Sequence, residues 1–151
     1  MKVLACRMSF VAALMLGSSI VALALQGPDP FLGTWKLNVA RTKYDPPRAP
    51  AATLIKYEPA VGGLKQVTDG VESTVIIDGK DHPISGNANA DTMAFTRPDP
   101  HTLASVWKKN GKVTITATNV VSADGKTRTI TQKGTDAQGR AVNTVIVYDR
   151  Q

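Results

Sequence analysis

The feature that most constrains the fold is a recurrence of tight-turn dipeptides between short stretches in which apolar and polar residues alternate. Asn-Gly and Asp-Gly accept the positive φ angles of two-residue hairpin turns. Such pairs stand at 69–70, 78–79, 110–111 and 124–125. The stretches between them have a period of two, as in Val113, Ile115 and Ala117, and no stretch beyond residue 25 has the period of an amphipathic helix. The chain is therefore predicted to be all-β.

Ten strands are predicted, at 33–41, 52–58, 63–68, 71–78, 81–85, 91–97, 101–109, 112–121, 126–134 and 140–150. Hairpins join most of them, and a long twisted meander closes on itself to remove its open edges. We therefore expect a single up-and-down antiparallel β-barrel. Segment 42–51 has too many prolines for a helix or a strand and is expected to be a long loop, and 97–100 a rigid turn.

Residues 1–24 have the three parts of a secretory signal peptide. Lys2 and Arg7 precede an uncharged stretch that is rich in Ala, Leu and Val, and Ala22-Leu23-Ala24 ends it with small residues. The alternative is a retained transmembrane anchor, but Gly17-Ser18-Ser19 interrupts the apolar stretch and leaves it short for a bilayer. We expect cleavage after Ala24. Residues 25–151 would then form one secreted or periplasmic domain without a membrane span.

The composition of the expected mature domain excludes several functional classes. Its net charge falls from +6 to +4 when Lys2 and Arg7 are removed, and the nearest approach to a basic cluster is the hairpin tip with Lys108, Lys109 and Lys112. Aromatic residues make up only 5% of the chain. Nucleic-acid binding, which needs a basic stripe with stacking aromatics, is therefore not expected.

The expected mature domain has no recognisable arrangement of residues for catalysis or for metal binding. The single cysteine, Cys6, lies inside the signal, so the mature domain has neither a disulfide nor a cysteine nucleophile. The serines stand in no catalytic motif, and the acids lie mostly at turns. His82 and His101 lack the spacing of a zinc site; a lone haem ligand is an alternative, but exposed turn histidines are expected. We predict no enzyme activity, no metal and no cofactor.

The two ends of the predicted barrel resemble the calycin group, which comprises the lipocalins and the fatty-acid-binding proteins. Residues 31–37, Phe-Leu-Gly-Thr-Trp-Lys-Leu, are similar to the first strand of the fatty-acid-binding proteins, and 147–150 to their last. Val106-Trp107 with the Lys-Asn-Gly-Lys turn also has a counterpart there. The resemblance implies a ligand-binding barrel. In the lipocalins an Arg packs across the Trp of Gly-x-Trp, which implies that Gly33, Trp35 and Arg150 close the barrel base.

The chain also departs from these families. The fatty-acid-binding proteins insert a helical lid where this chain has the Pro-rich segment 42–51. Of their ligand-gripping residues only Tyr148 carries over, because Ile146 stands in place of the Arg two residues earlier and a second Arg would fall near Ala117 or Thr118. The signal and the lack of disulfides suggest a bacterial, exported, lipocalin-like protein.

Five residues are candidates for ligand contact: Tyr148, Ile146, Thr144, Trp107 and Arg128. Tyr148 could bind a polar head or be a core tyrosine bonded to the backbone. Trp107 could line the mouth of a pocket or belong to ordinary hairpin packing. Arg128 shares a strand face with Ile130 and Gln132; it could point inward as an anion anchor, but an outward orientation is expected.

Two functions follow from these expectations. The first is a non-catalytic, monomeric binding barrel for a small apolar or amphiphilic molecule. The second is a protein-interaction or inhibitor domain with a filled interior, in which the 42–51 loop makes the contacts. An interior space of about 300 Å³ or more would favour a ligand over the filled barrel.

Overall fold

A computed structural model describes residues 27–50 and 52–151, so the expected signal peptide lies outside the described residues. The structure is a ten-stranded antiparallel sheet with consecutive strands β1 to β10. The strands are Gly33–Leu37, Leu54–Ala60, Gly63–Thr68, Val71–Ile76, His82–Pro83, Thr92–Asp99, Thr102–Lys109, Lys112–Val121, Thr127–Thr135 and Ala141–Arg150. A short 3-10 helix at Val39–Arg41 follows β1. Within the described ranges, no helix has the length and apolar character needed to cross a membrane.

The sheet curls into a nearly closed barrel because its first strand pairs with its last. β1 pairs with β2 on one side and with β10 on the other, where Trp35 stands opposite Arg150 and Leu37 opposite Tyr148. The order of strands is β4-β3-β2-β1-β10-β9-β8-β7-β6-β5. Beyond β4 the chain returns to β6 near the other end of this order, where the Gly79 backbone N–H donates to the Phe95 carbonyl at 2.9 Å. The predicted up-and-down barrel is confirmed.

The hairpin turns form for the reason that the sequence indicates. Asp69 and Asn110 have positive φ angles of 46° and 50°, and the glycine after each is also left-handed. This pair of conformations matches the right-handed twist of the two strands that the turn connects. The β3–β4 and β7–β8 hairpins are therefore specified locally.

The first strand is shorter than predicted. It ends at Leu37 instead of residue 41, because the Asn38 side chain accepts a hydrogen bond from the Arg41 backbone at 3.0 Å and starts a 3-10 turn. The chain then rejoins β10, where Lys43 and Val145 exchange backbone hydrogen bonds of 2.7 and 2.8 Å. The first part of the predicted loop thus continues the sheet along the edge of β10.

Other strand bounds also differ from the prediction. β2 is shifted to Leu54–Ala60 and includes Pro59, which is tolerated because β1 pairs only as far as Tyr57 and no ladder bond is needed there. β5 is reduced to His82–Pro83. β6 runs on to Asp99 through a bulge between Thr96 and Asp99, so the expected turn begins later, at Pro100.

One end of the barrel is closed by an apolar core. Phe31, Trp35, Ile55, Leu103 and Val121 are all at most 5% exposed and belong to one cluster. The Trp35 indole N–H donates to the Phe31 carbonyl at 2.8 Å, so its polar atom is satisfied inside this core. A cavity lies at the other end, where β10 begins.

Candidate functional site

The base of the barrel is held by the three residues to which the sequence assigns this role. The Arg150 guanidinium lies 4.2 Å above the Trp35 ring and donates to the carbonyls of Pro30, Leu32 and Gly125. Gly33 has a φ of 110°, and a Cβ there would lie 2.7 Å from Arg150 Nη1. The sequence motif at both ends of the chain is therefore explained by this contact, which ties the ends together.

Arg128 points into the barrel, and the expectation of an outward orientation is wrong. Arg128 lies on the inner face of β9, which it shares with Gln132, and is only 2% exposed. Its Nε donates to Asn119 Oδ1 at 2.9 Å, and its Nη2 donates to the Tyr57 hydroxyl at 3.0 Å. The guanidinium carbon lies 4.8 Å from the Tyr57 ring centroid and 5.2 Å from that of Tyr148, so two aromatic faces stabilise the cation.

The third nitrogen of Arg128 is left without a partner. Among the side-chain nitrogen and oxygen atoms of the described residues, Nη1 is the one that is buried and makes no hydrogen bond. Arg128 also forms no ion pair with an acid in the described part of the chain. A buried charge without a counter-ion is costly, and natural proteins rarely keep one. The position of Arg128 therefore needs an explanation beyond folding.

A polar network holds this guanidinium in a fixed orientation. The Tyr57 hydroxyl accepts from Arg128 and donates to Gln66 Oε1 at 2.7 Å, and Gln66 Nε2 donates to Thr68 Oγ1 at 2.8 Å. With Asn119 on β8, the network reaches across the interior from one side of the barrel to β2 and β3. Because Nε and Nη2 are both engaged, Nη1 is the group that remains for another molecule.

Arg128 lines an inner cavity of about 330 Å³. The wall is otherwise formed by apolar side chains with a few hydroxyl and amide groups; the apolar residues include Ile55, Met93, Phe95, Leu103, Trp107 and Ile130. Most ligand pockets have this composition, with apolar walls and a small number of placed polar groups. The cavity can therefore hold an apolar body with one polar group directed at Arg128.

A second cavity of about 470 Å³ lies at the open end of the barrel, which we call the mouth cavity. Trp107 and Gln132 line both cavities, so the two cavities adjoin at these side chains. Arg48 extends over the mouth from the Pro-rich segment, and its Nη2 donates to Gln132 Oε1 at 3.3 Å. The second part of the predicted 42–51 loop thus contributes to the cavity.

An ion pair stands at the rim of the mouth cavity. Arg140 Nε donates to Asp136 Oδ2 at 2.7 Å, and its Nη2 lies 2.7 Å from the same oxygen. Burial would raise the pKa of Asp136, but hydrogen bonds from the Arg140 backbone and guanidinium outweigh it and hold that pKa below its ordinary value. The pair is therefore charged at neutral pH, and Arg140 is already neutralised.

The structure places the remaining candidates on the inner face of β10, in two roles. Ile146 and Thr144 line the mouth cavity, and the Thr144 hydroxyl also exchanges hydrogen bonds of 3.0 and 3.1 Å with the Asp45 backbone. Tyr148 is 3% exposed, and its hydroxyl donates to the Ala52 carbonyl at 3.3 Å. Burial raises the pKa of Tyr148 to about 12, so it remains a neutral phenol. Tyr148 is therefore a core tyrosine with its hydroxyl bonded to the backbone, which is the second of the two roles considered for it from the sequence.

The structure brings in four further residues that the sequence prediction did not include: Tyr57, Asn119, Gln132 and Arg48. The first three could have been found from the alternation, since Tyr57 and Asn119 share strand faces with buried apolar residues and Gln132 shares one with the partly buried Ile130. Arg48 lies in an irregular segment and had no such signal. The two histidines line neither the inner cavity nor the mouth cavity: His82 pairs with Asp78 at 2.9 Å, and His101 Nδ1 lies 3.1 Å from the Val121 carbonyl oxygen.

Comparison with known proteins identifies the fold. No protein-family model matches the chain, and no curated protein matches it. Among solved structures it is similar to the zebrafish ileal bile acid-binding protein complexed with cholic acid, with 15% identity, a TM-score of 0.52 and coverage of 81% of this chain and 99% of that one. It also matches As-p18, an extracellular fatty acid binding protein, with 20% identity, a TM-score of 0.48 and coverage of 82% and 98%. The fold is a calycin-like barrel, as the motifs at the two ends indicate.

Proposed function

We propose that this protein is an exported, non-catalytic barrel that binds a small amphiphilic molecule with an acidic head. The observation that carries the proposal is Arg128, a cation that is 2% exposed, has a buried donor without a partner and lines an apolar cavity. A carboxylate on Nη1 would supply both the missing hydrogen bond and the missing counter-charge. The apolar walls would bind the body of the molecule by excluding water from it.

The volume and the fold support this function over a filled interaction domain. The inner cavity of about 330 Å³ and the mouth cavity of about 470 Å³ both exceed the lower limit typical of ligand pockets. The zebrafish protein with the same fold was crystallised with cholic acid, which is also consistent with an amphiphilic ligand. Export is proposed from the features of residues 1–24, and an N-terminus at Leu25 in the protein recovered from its host would test that part.

The two tryptophans provide a direct test of binding inside the barrel. Trp107 lines both cavities, whereas Trp35 is 0% exposed beneath Arg150. Full-length protein, freed of bound lipid by solvent extraction, is titrated with dodecanoate while tryptophan emission and heat are recorded. We expect a saturable heat and a change in emission. In the Trp107→Phe variant the heat should persist while the emission of Trp35 stays constant.

Two results would contradict the proposal. One is the absence of a saturable heat with dodecanoate and with other long-chain acids. The other is a change in emission that survives the Trp107→Phe substitution, because the ligand would then lie near the base of the barrel and not in the cavities. Native mass spectrometry of protein from its own host would complement the titration by showing which small molecule co-purifies.

A further inference from the structure

The mouth cavity has a cation of its own. The guanidinium carbon of Arg48 lies 4.9 Å from the Tyr44 ring centroid, and its Nη2 reaches Gln132 Oε1. Arg140 at the same cavity is neutralised by Asp136, but Arg48 forms no ion pair with any acid of the described residues. The inner cavity and the mouth cavity therefore each have one cation that is not balanced by an acid.

Gln132 supplies a second polar group. It is 6% exposed and lies where the two cavities adjoin. Its Oε1 accepts from Arg48, and none of the hydrogen bonds within 27–50 and 52–151 uses its Nε2. Because Arg128 Nη1 is the one fully buried side-chain atom without a partner in the described residues, Gln132 Nε2 is open to the cavity. An unused donor beside the cation of Arg48 favours an occupant that accepts hydrogen bonds.

We propose that the mouth cavity binds the second head of a two-headed ligand, an apolar chain with a carboxylate at each end. This inference rests on the proposed function, in which Arg128 binds the first carboxylate. The second carboxylate would accept from Arg48 and from Gln132 Nε2. The chain of the ligand would lie against apolar side chains of both cavities, with Ile130 in the inner cavity and Ile115, Val142 and Ile146 in the mouth cavity.

The comparison of a diacid with a monoacid of equal length tests this assignment. A second carboxylate makes the chain more soluble in water, so without a matching cation the diacid would bind more weakly than the monoacid. With Arg48 present we expect dodecanedioate to bind about 1.5- to 5-fold more tightly than dodecanoate, the range of an exposed ion pair. Calorimetry on the full-length protein at neutral pH measures both constants.

A matched pair of variants locates the effect. Arg48→Gln should abolish the preference for the diacid and leave the affinity for dodecanoate within about twofold, because Arg128 is unchanged. Arg41→Gln is the control: Arg41 pairs with Asp149 at 3.5 Å on the outside and lines neither cavity. It removes the same charge and should keep the preference.

The possible outcomes separate the two proposals. If wild type binds dodecanoate as tightly as dodecanedioate or more tightly, the mouth site is rejected while the proposed function stands. If Arg41→Gln reduces the preference as much as Arg48→Gln, the effect is a general attraction by net charge, and the mouth site is again rejected. If wild type binds neither acid, the proposed function fails, and the two-headed ligand fails with it.

Discussion

Replacement of Arg128 by glutamine should remove the discrimination between an acid and an alcohol of the same chain length. In the unliganded protein Nη1 has no hydrogen-bond partner. A bound carboxylate would accept a hydrogen bond from this charged donor, and the hydroxyl of an alcohol would accept a weaker one. Such a bond contributes about 1.5–3 kcal/mol. The affinity ratio of dodecanoate to dodecanol should therefore fall by about 10- to 150-fold in Arg128→Gln.

The same substitution should have a limited effect on folding. It removes hydrogen bonds to Asn119 and Tyr57 and two aromatic contacts, but it also removes a buried charge. Breaking a buried ion pair costs about 3–5 kcal/mol because an uncompensated charge stays behind. Here no acid pairs with Arg128 in the described residues, so the loss in unfolding free energy should lie below that range. Glutamine can still hydrogen-bond with its neighbours.

The assay is a double cycle of two ligands and two proteins. Calorimetry gives the affinities of dodecanoate and dodecanol for wild type and for Arg128→Gln, and urea denaturation of both unliganded proteins checks their folding. General distortion of the cavity weakens both ligands and cancels in the ratio. If the ratio is the same in the two proteins while both remain folded, Arg128 is not the acid-binding group and the reasoning is refuted.

Two further predictions concern the fold. Gly33→Ala should destabilise the protein by about 1–3 kcal/mol, because a non-glycine residue at φ 110° is strained and its Cβ would displace Arg150 Nη1. The control is Gly62→Ala, since Gly62 is also left-handed but has open space around it, and urea denaturation should show a smaller loss of stability for this variant. Equal losses in the two variants would exclude the Arg150 contact as the cause. Asp69 accepts from the Thr53 hydroxyl and from the backbone N–H groups of Thr53 and Leu54, which lowers the pKa of its carboxyl in the folded state. A pKa that is lower in the folded than in the unfolded state stabilises the protein above the unfolded pKa, and this stability is lost as the pH falls through the folded pKa. Asp69→Asn should therefore be less stable than wild type at neutral pH and equally stable in strong acid. A difference in denaturation midpoint between the two proteins that does not change with pH would contradict this.

Much of the fold could be predicted because its signals are local. Asp69-Gly70 and Asn110-Gly111 specify their hairpins by backbone conformation alone, and alternation specifies which residues share a face. The bounds of β1 and β5 could not be predicted in this way. β1 ends at Leu37 because the Asn38 side chain competes for backbone hydrogen bonds, an interaction that alternation does not report.

The site was harder to predict because it depends on which face is inside. Val142, Thr144, Ile146 and Tyr148 alternate along β10 and therefore share one face, and all four are buried. The alternation around Arg128 is equally clear, but arginine side chains are normally exposed to solvent. This preference of arginine for the surface predicted that Arg128 points outward, which is wrong. What overrides that preference is a set of partners from distant strands, Asn119 and Tyr57, which only the closed barrel brings together.

The position of Arg48 follows from how the connection between β1 and β2 is fixed at its two ends. Its first end is attached to β10, where the Asp45 carbonyl accepts from the Asn143 backbone at 2.9 Å and from the Thr144 hydroxyl. Its second end is attached to the β3–β4 turn, where Asp69 accepts from Thr53 and Leu54. Pro46 and Arg48, which lie between these attachments, line the mouth cavity. The charge over the mouth is therefore placed by the connection between β1 and β2, and the mouth site depends on Arg48, which lies outside the strands.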